Sequence, residues 1–135
     1  MNPAVAEWVS KAEGDFVTAG RELRARKSPN YDAVCFHCQQ CAEKYLKAVL
    51  QVNDKHIPKI HNLIELMALC LQIDSTFEML RADLIVLERY SVRVRYPGNS
   101  AEKIDAHLLT MPQKLQECLL GRNLELSRGD YILIM

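Results

Sequence analysis

Four polar side chains in one predicted helix have the types and the spacing that suit an anion. They are His37, Gln40, Lys44 and Lys47, which recur at i, i+3, i+7 and i+10 within YDAVCFHCQQCAEKYLKAVLQ, residues 31–51. At about 100° per residue these positions lie on one side of a helix. Ammonium, imidazole and amide groups all donate hydrogen bonds, which a phosphate or carboxylate accepts. The alternative is a solvated helix face on which the lysine stems cover apolar neighbours.

A second group of candidates lies in the segment YSVRVRYPG, residues 90–98. The guanidinium groups of Arg93 and Arg95 can each bind a phosphate through two hydrogen bonds, whereas Tyr90 and Tyr96 offer rings for base stacking. Such a combination suits a nucleotide or RNA ligand. The alternative is an amphipathic helix end whose arginines pair with nearby carboxylates.

Three cysteines of the first segment raise the question of a metal site. Cys35, Cys38 and Cys41 form C-x-x-C-x-x-C, a spacing that occurs in iron–sulfur ligand runs. Those ligands come from loops, whereas these positions lie on the apolar side of a predicted helix with no fourth cysteine nearby. Buried cysteine behaves as a small hydrophobe, so we predict core packing. His56 and His61 lack the further ligands that zinc requires, and we predict no metal and no other cofactor.

Five helices are predicted to position these groups, and no run is strong enough to demand a strand. They cover residues 3 to about 26, 31 or 32 to about 52, and 61 or 62 to 71, then a fourth from the capping box Ser75-x-x-Glu78 to between residues 90 and 96, and a fifth from Asn99 that Pro112 interrupts. The second helix has a broad apolar face of Val34, Cys35, Cys38, Cys41, Ala42, Tyr45, Leu46 and Val49. We predict an all-α bundle over residues 1–122 and a tail without clear period over residues 123–135.

Composition limits the classes of function. A chain of 135 residues with 49% hydrophobic and 25% charged residues suits one ordered domain. The formal net charge of +0 argues against broad non-specific binding of duplex nucleic acid. No apolar run approaches the roughly 20 residues of a membrane span and no export signal is visible, so we expect a cytoplasmic protein. The glycine-rich phosphate loop and the nucleophile elbow of two common enzyme classes are also absent.

Several of these residues together resemble a known family. The matching positions are Asp15, Tyr31-Asp32-Ala33, Phe36-His37-x-Gln39-Gln40-x-Ala42-Glu43-Lys44-x-Leu46-Lys47-Ala48, His61-Asn62-Leu63, Tyr90 and Arg95-Tyr96-Pro97. From about Trp8 to about Leu119 the chain resembles the HEPN domain, the nucleotide-binding domain of higher eukaryotes and prokaryotes. The resemblance implies an up-and-down bundle of four to five helices that forms a homodimer. It also implies a small nucleotidyltransferase as partner in a two-component, toxin–antitoxin-like system.

Some HEPN proteins are metal-independent ribonucleases that carry an arginine followed, after four to six residues, by a histidine. No histidine stands at that spacing after Arg89, Arg93 or Arg95. This absence counts against a ribonuclease, and we predict a non-catalytic module that binds a nucleotide or RNA. The alternatives are a ribonuclease with a variant active site, in which His37 substitutes for the missing residue, and a purely structural dimerisation partner.

The resemblance brings the two groups of candidates into one hypothesis. If the second and fourth helices are neighbours, both groups can line a single cleft. Phosphate would then contact Lys44, Arg93 and Arg95, and the base or sugar would contact His37, Gln40, Tyr90 or Tyr96. The predicted nucleotide-binding residues are His37, Gln40, Lys44, Lys47, Tyr90, Arg93, Arg95 and Tyr96.

Overall fold

A computed structural model describes residues 2–93 of the chain. Within that range the chain folds into helices α1 (Pro3–Leu23), α2 (Tyr31–Val52), α3 (Leu63–Leu71) and α4 (Arg81–Arg93), with a 3₁₀ helix at Ser75–Leu80 before α4. The predicted all-α class is confirmed. The predicted fifth helix, Arg95, Tyr96 and the proposed tail at residues 123–135 lie outside the described residues.

An asparagine caps the N-terminus of each of the first three helices. The Asn2 side chain accepts a hydrogen bond from Ala4 N at 2.8 Å, and Asn30 accepts one from Ala33 N at 3.0 Å. Asn62 accepts from two backbone N–H groups of α3, at 2.9 and 3.0 Å. These bonds satisfy N–H groups that have no partner inside the helix, which explains why the starts of α1 to α3 were predictable.

Two predicted boundaries are wrong. Helix α1 ends at Leu23 and not near residue 26. The capping box predicted at Ser75 does not start an α-helix, because Asp74 is the N-cap there and accepts from Thr76 N at 2.7 Å. A 3₁₀ helix of six residues follows, and α4 begins only at Arg81.

Helix α2 is the centre of the bundle, since it packs against α1, α3 and α4. All eight residues of its predicted apolar face are buried. Burial raises the pKa of the Cys35 thiol to about 11 and that of Cys38 to about 12, and it also raises the pKa of Cys41. The three thiols therefore stay protonated and pack as small apolar groups, which confirms the core-packing prediction.

Candidate functional site: two polar clusters on the central helix

The first polar cluster joins α1 to α2 through a single carboxylate. Asp15 Oδ1 lies 2.9 Å from His37 Nδ1, and Asp15 Oδ2 accepts a hydrogen bond from Lys44 Nζ. We call Asp15, His37 and Lys44 the outer cluster. The side chains of His37 and Lys44 are 27% and 21% exposed, so both reach solvent while they remain paired. They are therefore not the freely solvated face that the alternative interpretation described.

The carboxylate determines how the imidazole is used. An ionised Asp15 only accepts hydrogen bonds, so His37 Nδ1 carries the proton that it donates. The Nε2 atom is left as the polar atom available to a ligand, and it has no hydrogen-bond partner within residues 2–93. With a neutral imidazole the formal charges of Asp15 and Lys44 cancel, whereas an imidazolium gives the outer cluster a charge of +1. A carboxylate orients His37 in a way that the sequence analysis did not anticipate.

Gln40 lies beside the outer cluster and is oriented by a chain of amide hydrogen bonds. Gln39 Nε2 donates to the carbonyl oxygen of His61 at 2.8 Å, so Gln39 Oε1 must be the acceptor end of that amide. Gln40 Nε2 donates to this Oε1 at 2.8 Å. The Gln40 Oε1 atom is consequently left as an acceptor on the partly exposed side of α2.

The second polar cluster is centred on Glu43 of α2, whose carboxylate is buried, and it includes a histidine that is 70% exposed, His61. Glu43 Oε2 lies 3.3 Å from Lys47 Nζ, and Glu43 Oε1 lies 3.0 Å from His61 Nδ1. The Glu43 and Lys47 side chains are only 5% and 6% exposed. We call Glu43, Lys47, His61 and Gln39 the inner cluster.

The placement of Lys47 corrects a prediction. Its spacing predicts a place on the outward polar side with His37, Gln40 and Lys44, but the structure buries its ammonium against Glu43. The Nζ atom also lies 5.7 Å from the centroid of the Trp8 ring, within the range of a cation–π contact. A buried cation can only persist with such partners. Lys47 is consequently paired inside the bundle, and its contact with a nucleotide stays a prediction.

The start of α3 connects the clusters to α4. His61 is bonded to α2 through both its side chain and its backbone, and Glu88 of α4 accepts from the backbone N of Leu63 at 3.4 Å. Helices α2 and α4 are in contact, as the cleft hypothesis requires. Tyr90 is partly buried against the core. It lies two residues after Glu88, the α4 residue that contacts the start of α3. Whether Tyr90 lines the same cleft as the outer cluster stays a prediction.

Three predicted residues cannot be placed in the site. Arg93 is the last residue of α4 that the structure describes, and Arg95 and Tyr96 lie beyond the described residues. The prediction that these residues contact phosphate and base stays open.

Asp15, Gln39 and Glu43 are the functional candidates that spacing analysis missed. Each belongs to the residues that resemble the HEPN family, but neither type nor spacing predicts a role for it. Glu43 lies four residues from both Gln39 and Lys47. Because i, i+4 neighbours share a helix face, this spacing predicts contacts among the three side chains. The sequence indicates Asp15 less clearly. Its carboxylate lies one residue before the apolar Phe16, next to the core-facing side of α1.

Two further observations concern what residues 2–93 lack. No group of three or more histidine, cysteine, aspartate or glutamate side chains in that range could hold a metal ion. No helix in the same range is long and apolar enough to cross a lipid bilayer.

Comparison with known proteins identifies the family. The family model described as HEPN domain matches residues 5–118. No curated protein and no solved structure matches the chain. The matched region takes in both polar clusters and the whole of α1 to α4, apart from the first two residues of α1. By this match the chain belongs to the HEPN domain family.

Proposed function

We propose that this protein is a nucleotide-binding and interaction module, which acts as the non-catalytic partner of a small nucleotidyltransferase in a two-component, toxin–antitoxin-like system. The nucleotide binds on the exposed side of α2, where His37, Gln40 and Lys44 lie together. The observation that carries the proposal is the outer cluster, because one carboxylate holds an imidazole and an ammonium side by side at the surface.

The pairing with Asp15 places donors of Lys44 and His37 where one phosphate could contact both. Lys44 donates one of its three N–H groups to Asp15 and keeps the others for a ligand. His37 Nε2 donates a hydrogen bond once the imidazole is protonated, and the cluster then carries a net positive charge. A phosphate oxygen can accept from both groups, whereas the neutral form of the cluster attracts anions only weakly.

Calorimetric titration tests the nucleotide part of the proposal. ATP and inorganic tripolyphosphate are titrated into wild type, Lys44→Gln and His37→Gln, with Lys11→Gln as the matched control. Lys11 also pairs with a carboxylate, Glu7 at 3.3 Å, but this pair is exposed on α1. We expect the first two variants to weaken both ligands and the control to bind like wild type. Equal affinities in all four proteins would refute the site.

The interaction part of the proposal concerns a homodimer and a nucleotidyltransferase. Light scattering coupled to gel filtration measures the mass of the protein alone and after co-expression with a nucleotidyltransferase encoded by the adjacent gene. We expect a dimer alone and a larger complex with the partner. A monomer that never joins the partner, or a neighbouring gene without nucleotidyltransferase sequence features, would count against a two-component system.

A ribonuclease with a variant active site is the second candidate function, favoured by the 2.9 Å contact between Asp15 and His37. A carboxylate that holds Nδ1–H leaves Nε2 able to take a proton, as general bases do. In this reaction Nε2 would remove the proton of a 2′-hydroxyl, whose oxygen then attacks the adjacent phosphorus. The P–O bond to the 5′-oxygen breaks, which leaves a 2′,3′-cyclic phosphate, and the 5′-oxygen takes a proton from water. The test is RNA cleavage in EDTA by wild type and His37→Ala. Absence of cleavage by wild type eliminates this function and leaves nucleotide binding unaffected.

A further inference from the structure

An aromatic ring stands exposed beside the outer cluster. Phe36 is 50% exposed, and Met79 at 78% is the other large apolar side chain that is exposed within residues 2–93. Single exposed apolar residues are common on protein surfaces, and Met79 shows that exposure alone does not indicate a site. What distinguishes Phe36 is its position relative to the polar groups of α2.

Phe36, Gln40 and Lys44 follow one another at intervals of four residues along α2. Residues four apart lie nearly above one another on a helix, and each interval rises about 6 Å along the axis. An aromatic ring, an amide acceptor and an ammonium therefore occur in that order over about 12 Å. The parts of a nucleotide occur in a corresponding order, with a flat base at one end and the phosphates at the other.

The Phe36 ring is also held in a defined orientation. Its centroid lies 5.2 Å from that of the His37 ring, and the two planes make an angle of 79°. His37 is itself held by Asp15, so the perpendicular contact restrains the exposed phenyl ring. A base stacked parallel to Phe36 stands nearly perpendicular to the imidazole and cannot stack on both rings. The geometry leaves Phe36 as the stacking surface and His37 as a polar contact.

We propose that Phe36 is the stacking platform for the base of the bound nucleotide, with the phosphates directed toward Lys44. This inference rests on the proposed nucleotide-binding function and assigns the orientation of the ligand. Bases stack on aromatic rings regardless of their sequence identity, because each has a π face. Phe36 thus supplies affinity for the base, whereas the outer cluster supplies affinity for phosphate.

The test measures two ligands on four proteins. ATP and inorganic tripolyphosphate are titrated into wild type, Phe36→Leu, Phe36→Trp and the control Met79→Leu, and thermal unfolding checks each fold. Loss of base stacking predicts that Phe36→Leu weakens ATP binding about 5- to 150-fold. Tripolyphosphate has no base, so its affinity should not change. Phe36→Trp should bind ATP at least as well as wild type, and Met79→Leu should behave like wild type.

The outcomes separate this inference from the function on which it rests. If wild type binds neither ligand, the proposed function itself fails. If wild type binds ATP and Phe36→Leu binds it equally well, only the stacking role is refuted. An equal loss of both ligands in Phe36→Leu would also refute stacking, because it would show damage to the phosphate site. If Phe36→Leu lowers the oligomeric mass and leaves ATP affinity unchanged, the ring belongs to an interface between chains and the inference is wrong.

Discussion

Replacement of Glu43 by leucine should destabilise the protein far more than replacement of an ordinary surface glutamate. Glu43 lies on the central helix, and its carboxylate contacts Lys47 Nζ at 3.3 Å and His61 Nδ1 at 3.0 Å. In Glu43→Leu the Lys47 ammonium, only 6% exposed, loses its counter-ion while it remains inside the bundle. The nearby Trp8 ring offers a partial substitute at 5.7 Å.

The expected loss follows from the burial of the pair. Removal of one partner of a buried ion pair costs about 3–5 kcal/mol of unfolding free energy, because an unpaired charge stays in a medium of low polarity. Since domains of this size are stable by only about 5–15 kcal/mol, such a loss should lower the unfolding midpoint markedly. Replacement of both partners by apolar residues, as in Glu43→Leu with Lys47→Met, removes the unpaired charge and should recover most of the loss.

Urea unfolding followed by circular dichroism measures these changes. The matched control is Glu7→Leu, since Glu7 also pairs with a lysine four residues later, but at the surface with side chains 69% and 59% exposed. An exposed pair of this kind contributes about 0.3–0.5 kcal/mol. A loss in Glu43→Leu as small as in Glu7→Leu would show that Lys47 reaches water without its partner. A double variant as unstable as the single one would show that lost packing, and not the buried charge, is responsible.

Three further predictions concern a cap, the thiols and the ligand. Asn62→Ala removes the cap of α3 and should lower the free energy of unfolding, measured in urea, by about 0.5–2 kcal/mol. Asn62→Asp keeps a capping oxygen and should lose much less, so equal stability of the Ala and Asp variants would refute the cap. The folded Cys38 thiol keeps its proton to about pH 12 but ionises near the ordinary value of 9.0 when unfolded, so stability should fall as the pH rises above about 9. The stability of Cys38→Ala should fall less steeply with pH than that of wild type. An unchanged pH dependence would contradict a buried, protonated Cys38 thiol. Because Gln40 presents an acceptor, ATP with its exocyclic amino group should bind more tightly than inosine triphosphate, and Gln40→Ala should abolish the difference; a difference that survives in Gln40→Ala would exclude this role.

The start and the core-facing residues of α2 were predictable from local sequence. Asn30 precedes the helix and caps it with its own side chain, and that chemistry needs no tertiary contact. The apolar residues repeat at the helical period, so their common burial follows from the spacing alone. The same reasoning failed at Ser75, because the neighbouring Asp74 is an equally good cap and its side chain took the N–H group of Thr76.

The site was only partly predictable, because the type of a polar residue does not show whether it is buried or which group it contacts. His37 and Lys44 were identified by type and spacing, but their shared partner Asp15 lies 22 and 29 residues away in the chain. Periodicity placed Lys47 among the outward residues. Its burial depends on Glu43, on the Trp8 ring of another helix and on the packing of α1 against α2.

By itself the sequence determined the helical class, the starts of α1 to α3, the apolar face of α2 and the resemblance to the HEPN family. These properties depend on residue types at short spacing, which a linear chain records directly. Only the tertiary structure decided which polar residues are paired, which are buried and which present atoms to a ligand. Those properties depend on groups brought together from distant positions, where a single carboxylate such as Asp15 or Glu43 determines the charge and the orientation of its neighbours.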